Sequence, residues 1–113
     1  MHELTVIENI LKISLEVADE NRLSQVDKIN LTVGKMQHLN EMILQHGFEA
    51  AKENTLAAAA KLVLEWKPVL LKCNECHHKF QPLDHDFSCP FCESGLTEII
   101  QGNELFVKSI EGH

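Results

Sequence analysis

With 113 residues the chain can bury one modest core, and the four cysteines and the residues between them divert about twenty positions away from hydrophobic packing. Its formal charge is -7, with 17 Asp and Glu against 10 Lys and Arg, and the basic residues are scattered along the chain, not grouped into a stripe. That argues against nucleic acid, which is bound through clustered Lys and Arg. The apolar runs fall far short of the ~20 residues that span a bilayer, and Met1 leads into acidic and amphipathic sequence with no apolar h-region. A cytoplasmic protein without membrane contact and with reduced thiols is expected.

The first predicted element is an amphipathic helix over residues 4 to 21. Leu4, Ile7, Leu11, Leu15 and Ala18 recur at steps of three and four, with Glu8, Lys12, Glu16 and Glu20 largely opposite. From Lys28 the period becomes two. Ile29, Leu31 and Val33 alternate with Lys28, Asn30 and Thr32, which predicts a half-buried strand ended by Gly34. Asn40 is placed to cap a second helix, residues 41 to 53, burying Ile43, Leu44, Phe48 and Ala51. Residues 61 to 67 alternate again, with Leu62, Leu64 and Trp66 on one side, until Pro68 stops the ladder. Val69 to Lys72 reads as a lead into the cysteine region. Leu96 to Gln101 predicts a returning strand and Gly102-Asn103 a turn. A last strand follows, with Leu105, Val107 and Ser109 facing one way and Phe106, Lys108 and Ile110 the other.

All the cysteines fall in Cys73-Asn74-Glu75-Cys76 and, after a twelve-residue insert, Cys89-Pro90-Phe91-Cys92. Two C-x-x-C pairs at this separation bring four thiolates to one tetrahedral ion, the pattern of a zinc ribbon. Disulfides would require an oxidising compartment. A c-type haem reading of Cys73 to His77 would require export and leave Cys89 and Cys92 idle. Iron in a rubredoxin-like four-sulfur site stays chemically open.

The closing strand is too apolar to hang free, so it is expected to pair with the strands at 28 to 33 and 61 to 67. The fold class is α+β: a small three-stranded sheet with two helices, formed by residues 1-68 and 102-113, and an inserted zinc-ribbon lobe, residues 69-101. The two crossings between them can serve as a hinge or permit strand exchange, so a monomer or a homodimer is expected.

Met1-His2-Glu3 forms a second candidate site. The α-amine, the ionisable His2 amide and its imidazole close five- and six-membered chelate rings, and Glu3 can supply a fourth ligand. That N/O set suits Ni2+ or Cu2+ in a plane, whereas an exposed histidine at a frayed terminus is the plainer reading of the tripeptide alone.

Taken together, Met1-His2-Glu3-Leu4 before a helix, Gly34 after a strand, Phe48-Glu49, Thr55, the two cysteine pairs with Cys89-Pro90, and Gly102-Asn103-Glu104-Leu105 resemble the HypA/HybF family over essentially the whole chain. The resemblance implies a nickel metallochaperone for maturation of nickel-iron hydrogenase, and not an enzyme. It implies transferable Ni2+ at Met1, His2 and Glu3, and structural Zn2+ at Cys73, Cys76, Cys89 and Cys92. Its implied partners are the GTPase HypB and the hydrogenase large subunit, with urease accessory proteins for relatives that also serve urease. The chain departs from the family in lacking a proline between Lys35 and Asn40, in Asn54 where a glycine is usual, and in Glu93 where some members carry histidine.

The other histidines have weaker claims as ligands. His77 is expected to modulate the cysteine site through a thiolate; His78, His85, His38 and His46 read as loop or surface residues, and His113 as a terminal residue without a partner. There is no nucleophile elbow, phosphate loop or H-E-x-x-H. The alternative to a nickel protein is an acidic zinc-ribbon adaptor in which His2 has no role.

Overall fold

A computed structural model describes residues 3–83 and 86–113. In chain order these form helix α1 (Glu3–Glu20), strand β1 (Val26–Gly34), a short 3-10 turn (Lys35–Gln37), helix α2 (Glu41–Ala51), and strands β2 (Lys61–Lys67), β3 (Leu70–Cys73), β4 (Lys79–Phe80), β5 (Thr97–Gln101) and β6 (Leu105–Gly112). They build two three-stranded sheets, ordered β2-β1-β6 and β4-β3-β5. No helix among the described residues is long and apolar enough to cross a membrane.

In the first sheet β1 runs parallel to β2, with Ile29 beside Leu62 and Leu31 beside Leu64. Parallel neighbours require a crossover, and α2 supplies it. The β6 strand pairs antiparallel with β1 alone, on the side away from β2. The two helices pack over this sheet, and the core collects Ile7, Ile10 and Leu11 from α1, Leu44 and Phe48 from α2, and Ile29, Leu31 and Val33 from β1.

Several side chains face differently from the sequence reading. Leu4 is 61% exposed and Ile43 48%, while Val6, Ile10 and Ser14 are buried. Because α1 packs against both α2 and the sheet, its buried face is wider than a single stripe and is rotated away from Leu4. In β6 the pairing jumps from Asn30–Ser109 to Leu31–Val107, leaving Lys108 as an extra residue. Such a bulge reverses the inside-outside parity, so Ile110 joins Leu105 and Val107 against the core and Ser109 turns outward.

The second helix starts as expected: the Asn40 side chain accepts a hydrogen bond from the Ile43 N–H at 3.0 Å. Beyond its end, Asn54 has φ 63, the left-handed region that glycine enters without strain and asparagine tolerates best among the rest. The Thr55 hydroxyl donates to the Lys52 carbonyl and accepts from the Ala57 N–H, closing that turn.

The sheets meet where backbone crosses backbone. A Cβ on Gly34 would lie 2.0 Å from the Gly102 carbonyl oxygen, and one on Gly102, whose φ is +112, would lie 2.7 Å from the Val69 Cα. Polar bonds pin the crossing. The Gly34 N–H donates to the Glu104 carbonyl, the Met36 N–H to the Gly102 carbonyl, and the Gly102 N–H to the Glu104 carboxylate at 2.6 Å. Gln37 reaches the Asn103 carbonyl and Gln101 the Pro68 carbonyl.

Gly34→Ala is therefore expected to cost about 3 kcal/mol, because neither contacting group is a side chain that can rotate away. Chemical denaturation beside wild type checks this, and an unchanged midpoint would contradict the crossing. Ser14 behaves in the opposite sense: its hydroxyl is buried and has no hydrogen-bond partner among the described residues. Ser14→Ala is expected to be neutral or to stabilise by about 1 kcal/mol, since it removes an unsatisfied polar atom.

Candidate metal centre

The second sheet frames the four cysteines. Residues 69 to 72, read from the sequence as a lead-in, belong mostly to strand β3, which pairs with both β4 and β5 and ends on Cys73. Strand β4 also escaped the sequence reading, because two residues carry no period. Among the described residues the lobe's buried cluster is Leu71, Phe80, Cys73 and Cys89, half of them ligand-type side chains.

The two cysteine turns are built alike. In the first, the His77 N–H donates to the Cys73 carbonyl and the Cys73 N–H to the His78 carbonyl. In the second, Glu93 and Ser94 take the same places around Cys89. His77 and Glu93 both have positive φ, 65 and 63, so each turn bends back through a left-handed residue four positions after its first cysteine. Amide N–H groups point at the sulfurs: Glu75 and Cys76 at Cys73, and Phe91 at Cys89, each at 3.4 Å.

The four Sγ atoms lie within 4.8 Å of one another, with Cys73–Cys92 and Cys76–Cys89 each 3.5 Å apart. A tetrahedron of sulfurs at the Zn–S distance has edges of about 3.8 Å, so the cluster has the size and donor set for one such ion. Electrostatics leads the same way. The Cys76 N–H, helped by that of Glu75, holds the Cys73 thiol down at about 6 despite desolvation. The Ser94 N–H pulls on Cys92, but the crowding by Cys73, Cys76 and Cys89 together with desolvation outweighs it and pushes that thiol up to about 12. Cys76 is raised too: the His78 N–H is outweighed by desolvation and by the sulfurs of Cys89 and Cys73. One thiolate thus forms readily and opposes the next. A bound dication reverses that opposition and makes four thiolates compatible.

His78, not His77, approaches a sulfur. Its Nδ1 lies 3.4 Å from the Cys76 Sγ, and its ring stacks on Phe91 at a centroid distance of 4.4 Å, joining the two turns. The signal was hard to read from sequence, since the left-handed turn at His77 is what aims its neighbour inward. His38 and His46 are exposed, and His113, expected to be without a partner, has its Nδ1 3.0 Å from the Asp27 carboxylate. His85 lies outside the described residues.

At the other end of the chain, Met1 and His2 also lie outside the described residues, and Glu3 is the member of the tripeptide that the structure places. Its carboxylate accepts a hydrogen bond from the Asn40 N–H at 3.0 Å, at the start of α2. Two turns further along α2, a Cβ on Gly47 would lie 3.1 Å from the Leu4 side chain, so the start of α1 rests closely on α2.

A helix-covered sheet joined to a small lobe with a four-cysteine cluster defines a two-sheet metal-binding protein. Comparison with known proteins makes this specific. The family model described as hydrogenase/urease nickel incorporation, metallochaperone, hypA matches residues 1–112, and the chain belongs to the HypA family. It is 33% identical over 111 residues to the hydrogenase maturation factor HypA of Dehalococcoides mccartyi, covering 98% of this chain and 93% of that one. Its identity to the Aquifex aeolicus factor of the same name is 31%, covering 98% and 96%. Among solved structures, the nickel metallochaperone HypA from Helicobacter pylori superposes with a TM-score of 0.71 at 28% identity, covering 99% of this chain and 97% of that one. A second solution structure of a HypA protein gives 0.76 at 28% identity, covering 100% and 97%.

With so small an apolar core, the lobe is expected to depend on its ion. Chelator added to zinc-loaded protein should abolish the dispersed amide resonances of residues 70 to 101 while leaving those of α1 and β1, and a lobe that keeps its resonances without metal would refute the dependence.

Proposed function

We propose that the protein is a nickel metallochaperone: it binds Ni2+ at its N-terminus and surrenders it to the maturation of nickel-iron hydrogenase. The observation that carries the reading is the family match over residues 1–112 in a chain that begins Met1-His2-Glu3. The α-amine, His2 amide and imidazole, with Glu3, supply the N/O donor set that suits nickel. The Glu3–Asn40 hydrogen bond supports it by bringing the third residue of the tripeptide against α2. A terminal chelate can give up its ligands one at a time, which suits transfer.

Within the same reading, Cys73, Cys76, Cys89 and Cys92 hold a structural Zn2+. The cluster's dimensions support this, and a four-thiolate ion has no open position for substrate, as fits a binding protein and not a hydrolase. Residues 1-68 and 102-113 form the nickel-binding unit and 69-101 the inserted zinc unit, a division that the two separate sheets support. The partners are the GTPase HypB and the hydrogenase large subunit, in the cytoplasm; urease maturation is a second client route that the family description supports.

Nickel titration of untagged protein beside His2→Ala and a version with one residue added before Met1 tests the site. Specific nickel binding is expected to disappear in both variants, with about one zinc retained in all three. Unchanged nickel affinity in the extended protein would rule out chelation by the α-amine.

A further inference from the structure

The four cysteines do not meet solvent equally. Cys73 and Cys89 are buried, Cys76 is half-buried with His78 against its sulfur, and Cys92 is exposed. The stack of His78 on Phe91 ties the two turns together on the Cys76 side. The Cys92 sulfur sits 3.5 Å from that of Cys73, in the opposite turn. From this asymmetry we propose that the cysteine cluster is an oxidative modification site, in which peroxide links Cys92 to Cys73 and thereby expels the bound zinc.

The chemistry needs only hydrogen peroxide as oxidant. The Cys92 thiolate attacks one peroxide oxygen, the O–O bond breaks, and hydroxide leaves, giving a sulfenic acid at Cys92. The Cys73 thiolate then attacks the Cys92 sulfur, forming the S–S bond and releasing the sulfenic oxygen as a second hydroxide. Two thiolates are oxidised by two electrons in all and one peroxide is reduced to two hydroxides. The ion loses two of its four ligands, and Cys76 with Cys89 cannot hold it alone. The reverse assignment, Cys76 with Cys89, has the same sulfur separation, so access is what selects between the pairs.

This inference rests on the zinc reading above, so metal analysis of the purified protein comes first and decides that reading separately. Zinc-loaded protein is then treated with hydrogen peroxide in the presence of a chromogenic zinc indicator, alkylated and cleaved after glutamate. Cleavage at Glu65, Glu75 and Glu93 separates Cys73, in peptide 66–75, from Cys76, Cys89 and Cys92, all in peptide 76–93. The expected first product is peptide 66–75 joined to 76–93 through Cys92, appearing with zinc release and the loss of two thiols per zinc. An internal disulfide in 76–93 with Cys73 still free would overturn the proposal, as would zinc retained after the crosslink has formed. His78→Ala removes the cover from Cys76 without removing a ligand. It is expected to raise the internal 76–93 disulfide to a comparable yield, and an unchanged product ratio would overturn the selection by access.

Discussion

Everything in this molecule passes through the backbone crossing of Gly34, Gly102 and Val69. The central strand of one sheet ends at Gly34, the chain leaves for the cysteine lobe at Val69, and it returns at Gly102. Van der Waals exclusion leaves no room for a Cβ on Gly34 or Gly102, and five hydrogen bonds pair the polar groups around them. The crossing expected to serve as a hinge or to permit strand exchange is thus a bonded joint in this structure. It places the family-type run Gly102-Asn103-Glu104-Leu105 in a structural role, since each of its first three residues makes a bond across the crossing.

The two lobes reach stability by different routes. The larger one buries a contiguous apolar cluster between two helices and a sheet, and can offset the conformational entropy of its chain by hydrophobic burial. Among its described residues the smaller has two buried non-cysteine side chains, Leu71 and Phe80, and exposes Leu83, Phe91 and Leu96. Burial on that scale falls short of the ordering cost of some thirty residues, which is why the proposed ion at the four cysteines is expected to stabilise the lobe.

On the proposed function, the division also separates two kinds of metal chemistry. A site that must release its ion benefits from sequential ligands at a chain end, whereas one that supports a fold benefits from ligands supplied by two opposed turns. The packing of Leu4 on Gly47 and the bond from Asn40 to Glu3 anchor the start of α1 without enclosing it. The left-handed residues His77 and Glu93, by contrast, close each cysteine turn on itself.

Much of this was legible in the residue order alone. Periods of 3.6 and 2 located both helices and four strands, Asn40 marked a helix start, and the C-x-x-C spacing identified the four-cysteine cluster, because each of these signals is local. Three things were not legible. The parity switch that turns Ile110 inward depends on a bulge against β1; the contact between His78 and Cys76 depends on the handedness of a turn; and the strands β3 and β4 exist because each has a partner. These are consequences of chain segments meeting across long sequence separations. By itself the sequence determined the four-cysteine donor set and the periodic elements, through side-chain type and spacing. Only the tertiary structure decided which cysteine faces solvent and how two sheets share one crossing, since both depend on what the fold stacks against them.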